Sequence, residues 1–149
     1  MADSNNPMER FRQGIAGAEA PAEPPSQEQL MEEATSAFRK LIAATEEMDA
    51  IVKKRFGFQA SVTFAYGAVD RQIGSIDGRI ISEAPGTSLT GKQTYSIPFT
   101  CQVPAIYFAR SRYSFPDRSG DSAEKKFLAS EQDQAIEFIT GNILGFFGG

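Results

Sequence analysis

The segment from Lys92 to Phe115, KQTYSIPFTCQVPAIYFARSRYSF, constrains the fold of this chain more than any other. Its alternate positions are apolar or small: Tyr95, Ile97, Phe99, Cys101, Val103, Ala105 and Tyr107. This period of two is what a half-buried β-strand requires, because successive side chains point to opposite faces of a sheet. Pro98 and Pro104 have no backbone N–H to donate, so they predict an edge position, a bulge or a break into two strands. We expect the rest of the chain to cover the apolar face of this ribbon.

A long amphipathic helix is predicted from Ser26 to Phe56. Ser26 and Gln29 have the spacing of a capping box, and Gly57 is a typical residue just beyond a helix end. Apolar residues recur at intervals of three and four, and Ile51 is among those that widen the stripe to nearly half of the circumference. A stripe this wide favours packing on a sheet over a coiled coil, which about three heptads would also permit.

Two further strands are predicted between this helix and the ribbon. Apolar and polar residues alternate from about Ala60 to Val69, which predicts the first strand. Asp77-Gly78 then stands between two β-prone runs, and a type I′ hairpin turn favours such a pair because both positions need positive φ. The sequence therefore predicts a hairpin turn at Asp77-Gly78.

The last predicted element is a helix from Ser122 to about Phe146, opened by the cap-like residues Asp121 to Glu124. One of its faces is apolar, and from Ala135 onward most of the other faces are apolar too. A helix that is apolar all round is buried on several sides, which in a small domain indicates another subunit or a partner. The predicted partner-binding residues are Phe138, Ile139, Gly141, Ile143, Leu144, Gly145, Phe146 and Phe147.

Three other interpretations of this carboxyl-terminal segment stay open. It is simple intrachain core, an interfacial membrane helix, or a diglycine terminus like that of ubiquitin-like modifiers. The chain has no lysine or arginine after Lys126, whereas interfacial helices normally carry a basic face. The diglycine follows a predicted helix rather than a β-grasp strand. Gly141 and Gly145 have the spacing that lets two helices approach closely, although this motif is specific only in membranes.

Residues 1–26 are rich in Ala, Glu, Pro and Gly, a composition that buries too little apolar surface to offset the entropy of ordering. They predict a disordered tail, in which Met8, Phe11 and Ile15 alone have helical spacing. These three residues are a candidate docking segment, but a tail that happens to contain three apolar residues is the favoured interpretation. Residues 27–149 predict a single α+β domain. It has two layers: an N-terminal helix, a four- to five-stranded antiparallel sheet and a C-terminal helix.

The composition excludes several chemistries. The chain has no histidine, which removes Ser–His and Cys–His nucleophile pairs and most zinc and copper sites. Its glycines match neither a P-loop nor a dinucleotide fingerprint. Cys101 is the single cysteine, so the fold contains no internal disulfide, and we expect a small buried apolar residue there. We expect no cofactor and no metal, and an enzyme is possible only with an acid-only site. The carboxylates available for such a site are Asp70, Asp77, Glu83, Asp117 and Asp121.

Nucleic-acid binding is an alternative function. Arg110 and Arg112 are predicted on one face of a strand, with Tyr113 and Phe115 on the other, and single-stranded nucleic acid binders combine arginines with aromatic residues. The competing interpretation places the aromatic residues in the core and pairs the arginines with nearby acids. The net charge of −4 favours the competing interpretation.

The leading hypothesis is a non-enzymatic interaction or assembly module that self-associates, or docks on a protein partner, through its terminal helices. Small accessory or structural proteins of phages and plasmids often have this organisation. The chain has no signal-peptide pattern, and none of its apolar runs approaches the roughly 18 residues that span a bilayer. We therefore expect a cytoplasmic protein, in the host cytoplasm or virion if it is viral, without a membrane partner.

Overall fold

The computed structural model describes residues 6–18, 23–86 and 91–148. Its helices are α1 (Pro7–Gly17), α2 (Gln27–Ala37), α3 (Arg39–Phe56) and α4 (Gln132–Phe146). Its strands are β1 (Ser61–Asp70), β2 (Ser75–Ala84), β3 (Gln93–Gln102), β4 (Ala105–Phe108), β5 (Ser111–Phe115), β6 (Arg118–Ser122) and β7 (Lys125–Leu128). A 3₁₀ turn, Ala129–Glu131, leads into α4. This arrangement confirms the predicted α+β class with a helix before and after an antiparallel sheet.

Five strands form one antiparallel sheet in the order β1-β2-β3-β4-β7, and β5 and β6 form a separate two-stranded sheet. The helices cover one face of the larger sheet, where Ile80, Ile97 and Ile106 are fully buried against residues of α2, α3 and α4. The opposite face exposes polar side chains such as Asp77 and Arg79. The two predicted layers are therefore present, with the core between helices and sheet.

The predicted ribbon divides into β3, β4 and β5. Its period of two is confirmed along β3, where Gln93 and alternate residues up to Cys101 are buried. A turn at Val103-Pro104 then reverses the chain, so that Cys101 pairs with Ile106. Burial consequently shifts to the even positions, and the prediction that Tyr107 is buried is wrong: its side chain is exposed.

The predicted hairpin turn at Asp77-Gly78 is wrong, because both residues lie inside β2 and pair with β3. The turn between β1 and β2 occupies residues 71–74 instead, where Gly74 has a φ of 69° and Asp70 accepts hydrogen bonds from the next backbone amides. Gly78 serves a packing purpose. A Cβ at this position would overlap the Phe99 ring and lie 2.5 Å from the carbonyl oxygen of Ala65.

The predicted helix from Ser26 to Phe56 is interrupted at Phe38, so it is α2 followed by α3. The capping box at Ser26 is confirmed. At the interruption, the backbone N–H of Leu41 donates to Oε1 of Gln132 at 3.2 Å. A side chain that enters the hydrogen-bond ladder is a known cause of helix bends. The local periodicity of the sequence continues through Phe38, so spacing did not predict the interruption, and the residue that hydrogen-bonds there belongs to α4.

The predicted start of the last helix at Ser122 is wrong as well. Residues before Gln132 form β6, β7 and the 3₁₀ turn. The carboxylate of Asp121 accepts two hydrogen bonds from Arg110 rather than capping a helix, and the Ser122 hydroxyl is buried against that of Ser111 at 2.7 Å. The cap-like sequence is therefore used in a hairpin.

The amino-terminal segment contains helix α1, capped by the side chain of Asn6, which accepts from the amides of Met8 and Glu9. None of the residues of α1 is buried. The predicted disorder of residues 1–26 falls partly on residues 1–5 and 19–22, which lie outside the described residues, as does the final glycine. Across the three described ranges, every helix is either too short or too polar to cross a lipid bilayer.

The close approach at Gly78 has a measurable consequence. We expect Gly78→Ala to lower the free energy of unfolding by about 1–3 kcal/mol, because its Cβ meets a backbone oxygen that cannot move without disturbing β1. Gly67→Ala is the matched control on β1, since its Cβ would lie 3.4 Å from the carbonyl oxygen of Asp77. Urea unfolding compares the two, and equal stabilities would contradict the packing role of Gly78.

Asp49 links α3 to β1, accepting from the Val62 amide at 2.9 Å and from Lys53 at 2.6 Å. Partial burial raises the pKa of Asp49, but hydrogen bonds from Lys53 and Val62 outweigh it and the pKa is lowered overall. A carboxyl with a lowered folded-state pKa stabilises the fold above its unfolded pKa of about 3.9, and the stabilisation disappears as pH falls through the folded value.

We therefore expect Asp49→Asn to lower the free energy of unfolding at pH 7 by about 1 kcal/mol. The difference from the parent chain should shrink as pH falls below about 4. Asp133→Asn is the control, since its carboxylate is 88% exposed and lies 3.9 Å from Lys40. Urea unfolding as a function of pH measures both, and a pH-independent effect of Asp49→Asn would exclude this linkage.

Candidate protein-binding site

Helices α3 and α4 lie side by side and run in the same direction. Near their amino-terminal ends the amide of Leu41 donates to Gln132. At their carboxyl-terminal ends the rings of Phe56 and Phe147 stack with centroids 5.5 Å apart. The two helices are therefore in contact at both ends, and they form a groove between them.

The carboxyl-terminal half of this pair encloses an apolar groove with a volume of about 320 Å³. Its lining is almost entirely carbon, because the polar atoms present are turned to other partners: Thr140 donates to the carbonyl of Ile136 at 2.8 Å, and the Arg55 guanidinium lies over the Phe56 ring. The residues that line the groove are Met48, Ile51, Val52, Arg55, Phe56, Thr140, Ile143, Leu144 and Phe147. We call this surface the α3/α4 groove.

Two of its side chains are unusually open to solvent. Ile51 on α3 and Leu144 on α4 are each 59% exposed. Phe58, two residues beyond α3, is 86% exposed. Large apolar residues exposed one at a time are ordinary on protein surfaces, whereas apolar residues grouped around a concave surface mark an interaction site. The α3/α4 groove has the second arrangement.

The predicted partner-binding residues separate into four groups. Ile139, Ile143 and Phe146 are buried in the core, and Ile143 also forms part of the groove floor. Phe138 is half-buried on another side of α4, between the rings of Phe108 and Phe127 at 5.5 and 5.8 Å. Only Leu144 and Phe147 reach the open part of the groove, while Gly141 and Gly145 are exposed.

The hypothesis named both terminal helices, but the predicted partner-binding residues did not include any residue of α3. Met48, Ile51, Val52 and Phe56 form one wall of the groove. Ile51 lies at the margin of the apolar stripe of this helix, but a stripe of that width by itself predicts packing on a sheet. Which element would lie next to that margin depends on the tertiary fold.

The strand proposed for nucleic-acid binding has a different environment. Tyr113 and Phe115 pack on the buried ring of Phe146, with centroids 5.6 and 5.7 Å away. Arg110 forms a bidentate ion pair with Asp121, and hydrogen bonds from Arg110 lower the pKa of that carboxyl. This placement is what the competing interpretation expects, in which the aromatic residues are core. Arg112, at the middle of β5, is exposed.

The carboxylates considered for an acid-only site have separate local partners. Asp70 caps the β1–β2 turn, and Asp77 accepts from the Thr100 hydroxyl at 2.8 Å. Glu83 pairs with Lys92, Asp117 with Arg118, and Asp121 with Arg110. In the part of the chain that the structure describes, acidic and cysteine side chains form no cluster with metal-ligand geometry. Cys101 is buried, and burial raises the pKa of its thiol to about 11.

A larger depression of about 680 Å³ lies along β2, β3 and β4. Its lining mixes charges of both signs with aromatic residues. Two of the charged groups have partners within the lining: Asp77 accepts from the Thr100 hydroxyl, and the Lys126 ammonium lies 5.6 Å from the centre of the Tyr107 ring. The α3/α4 groove is smaller, but its lining is almost entirely apolar and two of its large apolar side chains, Ile51 and Leu144, are exposed to solvent. It is therefore the stronger candidate site.

Comparison of the chain with protein-family models, with curated proteins and with solved structures gave no match.

The contact between Gln132 and α3 determines how the two walls of the groove are aligned. We expect Gln132→Ala to lower the free energy of unfolding by about 1–3 kcal/mol, because the buried amide of Leu41 loses its acceptor. Gln134→Ala, in the same turn of α4 but exposed, should change stability by less than about 0.5 kcal/mol. Denaturant unfolding provides the comparison, with hydrogen exchange at the Leu41 amide as a second measurement. Unchanged exchange at that amide would contradict this role.

Proposed function

We propose that this protein is a non-enzymatic interaction module that self-associates through the α3/α4 groove. The observation that carries the proposal is the grouping of exposed apolar side chains, Ile51 and Leu144 above all, around a concave surface between two aligned helices. A groove between two helices is a recurrent receptor for the apolar face of a third helix.

The magnitude of the hydrophobic effect supports an interaction of moderate strength. Full burial of an Ile or Leu side chain contributes about 1.5–3 kcal/mol, and both of these residues are more than half exposed. Covering them together with the half-buried Phe147 would contribute several kcal/mol. Association costs at least about 4 kcal/mol in lost translational and rotational freedom. The apolar face that fills the groove would add a similar amount, and a two-fold dimer makes the contact twice, less the cost of ordering the side chains. Since a micromolar dissociation constant corresponds to about 8 kcal/mol, we expect self-association at micromolar rather than nanomolar concentration.

The groove would recognise its partner by shape and apolar contact. Its lining residues do not combine a nucleophile with a base, and Thr140 and Arg55 are already bonded within their own helices. An occupant of the size of one helical turn or more is needed to fill about 320 Å³. This chemistry suits an amphipathic helix better than a small polar ligand.

Light scattering of the full chain at tens of micromolar tests the proposal. We expect a mass above the 16.2 kDa of one chain, and a return to that mass for Ile51→Asp and Leu144→Asp. Both positions are exposed, so a charge there disturbs association more than folding. Circular dichroism would verify that the variants remain folded.

Ile73→Asp is the matched control. Ile73 is 60% exposed, nearly the same as Ile51, but it lies in the β1–β2 turn and not in the groove. We expect Ile73→Asp to keep the mass of the parent chain. A monomeric parent chain at these concentrations, or equal effects of Ile51→Asp and Ile73→Asp, would overturn the proposal.

A further inference from the structure

Helix α1 has an apolar face that its own chain leaves uncovered. Met8, Phe11 and Ile15 have the spacing of one helix face and are 58%, 62% and 60% exposed. The hydrogen bonds and the ion pair of α1 are local, between Asn6 and the first amides and between Glu9 and Arg12. The single chain therefore carries two apolar surfaces, the face of α1 and the α3/α4 groove, that do not cover each other.

The two surfaces match in length. At 1.5 Å per residue, the face from Met8 to Ile15 extends for about 10.5 Å. The α3 wall of the groove, from Met48 to Phe56, extends for about 12 Å. One short helix with three apolar side chains on one face is thus an occupant of suitable dimensions.

The charges at the two ends of the groove favour one direction for such a helix. Glu47 and Glu137 are exposed one turn before the groove residues Ile51 and Thr140, so this end is acidic. The other end is basic, because Lys54 and Arg55 are in the last turn of α3.

In α1 the charges follow the same order along the chain as in the groove, acidic before basic. Glu9 precedes Arg12 by three residues. If α1 lies antiparallel to α3 and α4, Glu9 is directed toward the basic end of the groove and Arg12 toward the acidic end. The antiparallel arrangement also places the dipole of α1 opposite to those of the two parallel helices, which is favourable.

The length of the chain between α1 and α2 favours binding of α1 to the groove of a second molecule over binding to the groove of its own molecule. Arg71 donates to the carbonyl oxygens of Pro24 and Pro25 at 3.0 and 2.8 Å, which holds this point of the chain beside the β1–β2 turn. Asp49, the neighbour of Met48 on α3, accepts from Val62 near the start of β1, whereas Arg71 follows the end of β1. Pro24 and the near end of the groove are therefore separated by the length of this strand, about 30 Å. With α1 helical to Gly17, the chain from Ile15 to Pro24 spans at most about 27 Å even when fully extended.

The geometry points to an exchange of helices: α1 of one copy occupies the α3/α4 groove of a second copy, antiparallel to both helices. This inference rests on the proposed function and names its partner. In a two-fold dimer the contact would occur twice, because each chain supplies one helix and one groove.

Substitution of the α1 face tests this assignment with the full chain. We expect Phe11→Asp to reduce the mass measured by light scattering to that of one chain, as Leu144→Asp does. Gln13→Asp is the matched control, since Gln13 is on another face of the same helix, and it should keep the parent mass. Residues of α1 are not buried, so neither change should affect the stability of the α+β domain.

The outcomes separate the two proposals. If Leu144→Asp dissociates the protein and Phe11→Asp does not, the groove binds something other than α1, and this inference is overturned while the proposed function stands. If neither change alters the mass, both are overturned.

A mixing experiment distinguishes exchange from docking within one chain. The Phe11→Asp chain keeps an intact groove, and the Leu144→Asp chain keeps an intact α1. Mixed at about one hundred micromolar, with different fluorophores on the two chains, they should form a heterodimer with one contact, detected by energy transfer. Two Phe11→Asp chains should show no transfer. Absence of transfer in the mixed sample would indicate that α1 binds within its own chain, and would overturn the exchange.

Discussion

The hydrogen bond between the Gln132 side chain and the Leu41 amide is the contact on which the rest of the arrangement depends. It lies at the break between α2 and α3 and joins the first turn of α4 to the first turn of α3. Because both helices then continue in the same direction for their whole length, their carboxyl-terminal apolar residues come together. One polar contact near the helix starts thereby aligns the walls of an apolar groove that begins about two turns away.

The groove follows from the limited area of a small sheet. Helix α4 is apolar on several sides, and the sheet can bury only the side that carries Ala135, Ile139, Ile143 and Phe146. A second side is covered in part by Phe108 and Phe127, and a third, with Leu144, meets α3 at an open margin. Helix α1 of the same chain has an exposed apolar face, which in the proposed exchange would cover this margin in a second copy. Self-association through exchanged helices would cover both surfaces at once.

Particular residues show how far sequence patterns could be followed. The burial of alternate residues along β3 and of one face of α4 was predictable, because a period of two or of 3.6 is a local property. The turn predicted at Asp77-Gly78 was wrong because Asp-Gly is common in turns, whereas here the glycine leaves room for the Phe99 ring that packs against it. The predicted burial of Tyr107 was wrong because the turn at Val103-Pro104 reverses the chain. After that turn, the face of the sheet on which each side chain lies depends on how the strands pair.

For the candidate site, the sequence by itself determined that the carboxyl-terminal helix has more apolar surface than one sheet can cover, and that Met8, Phe11 and Ile15 share a helix face. Both are consequences of spacing along one helix. Only the tertiary structure decided that α3 is the neighbour of α4, that Ile51 and Leu144 remain open together, and that Phe138 does not join them. The contact responsible joins residues 91 positions apart, and side-chain periodicity contains no information about which distant segment an apolar face will meet.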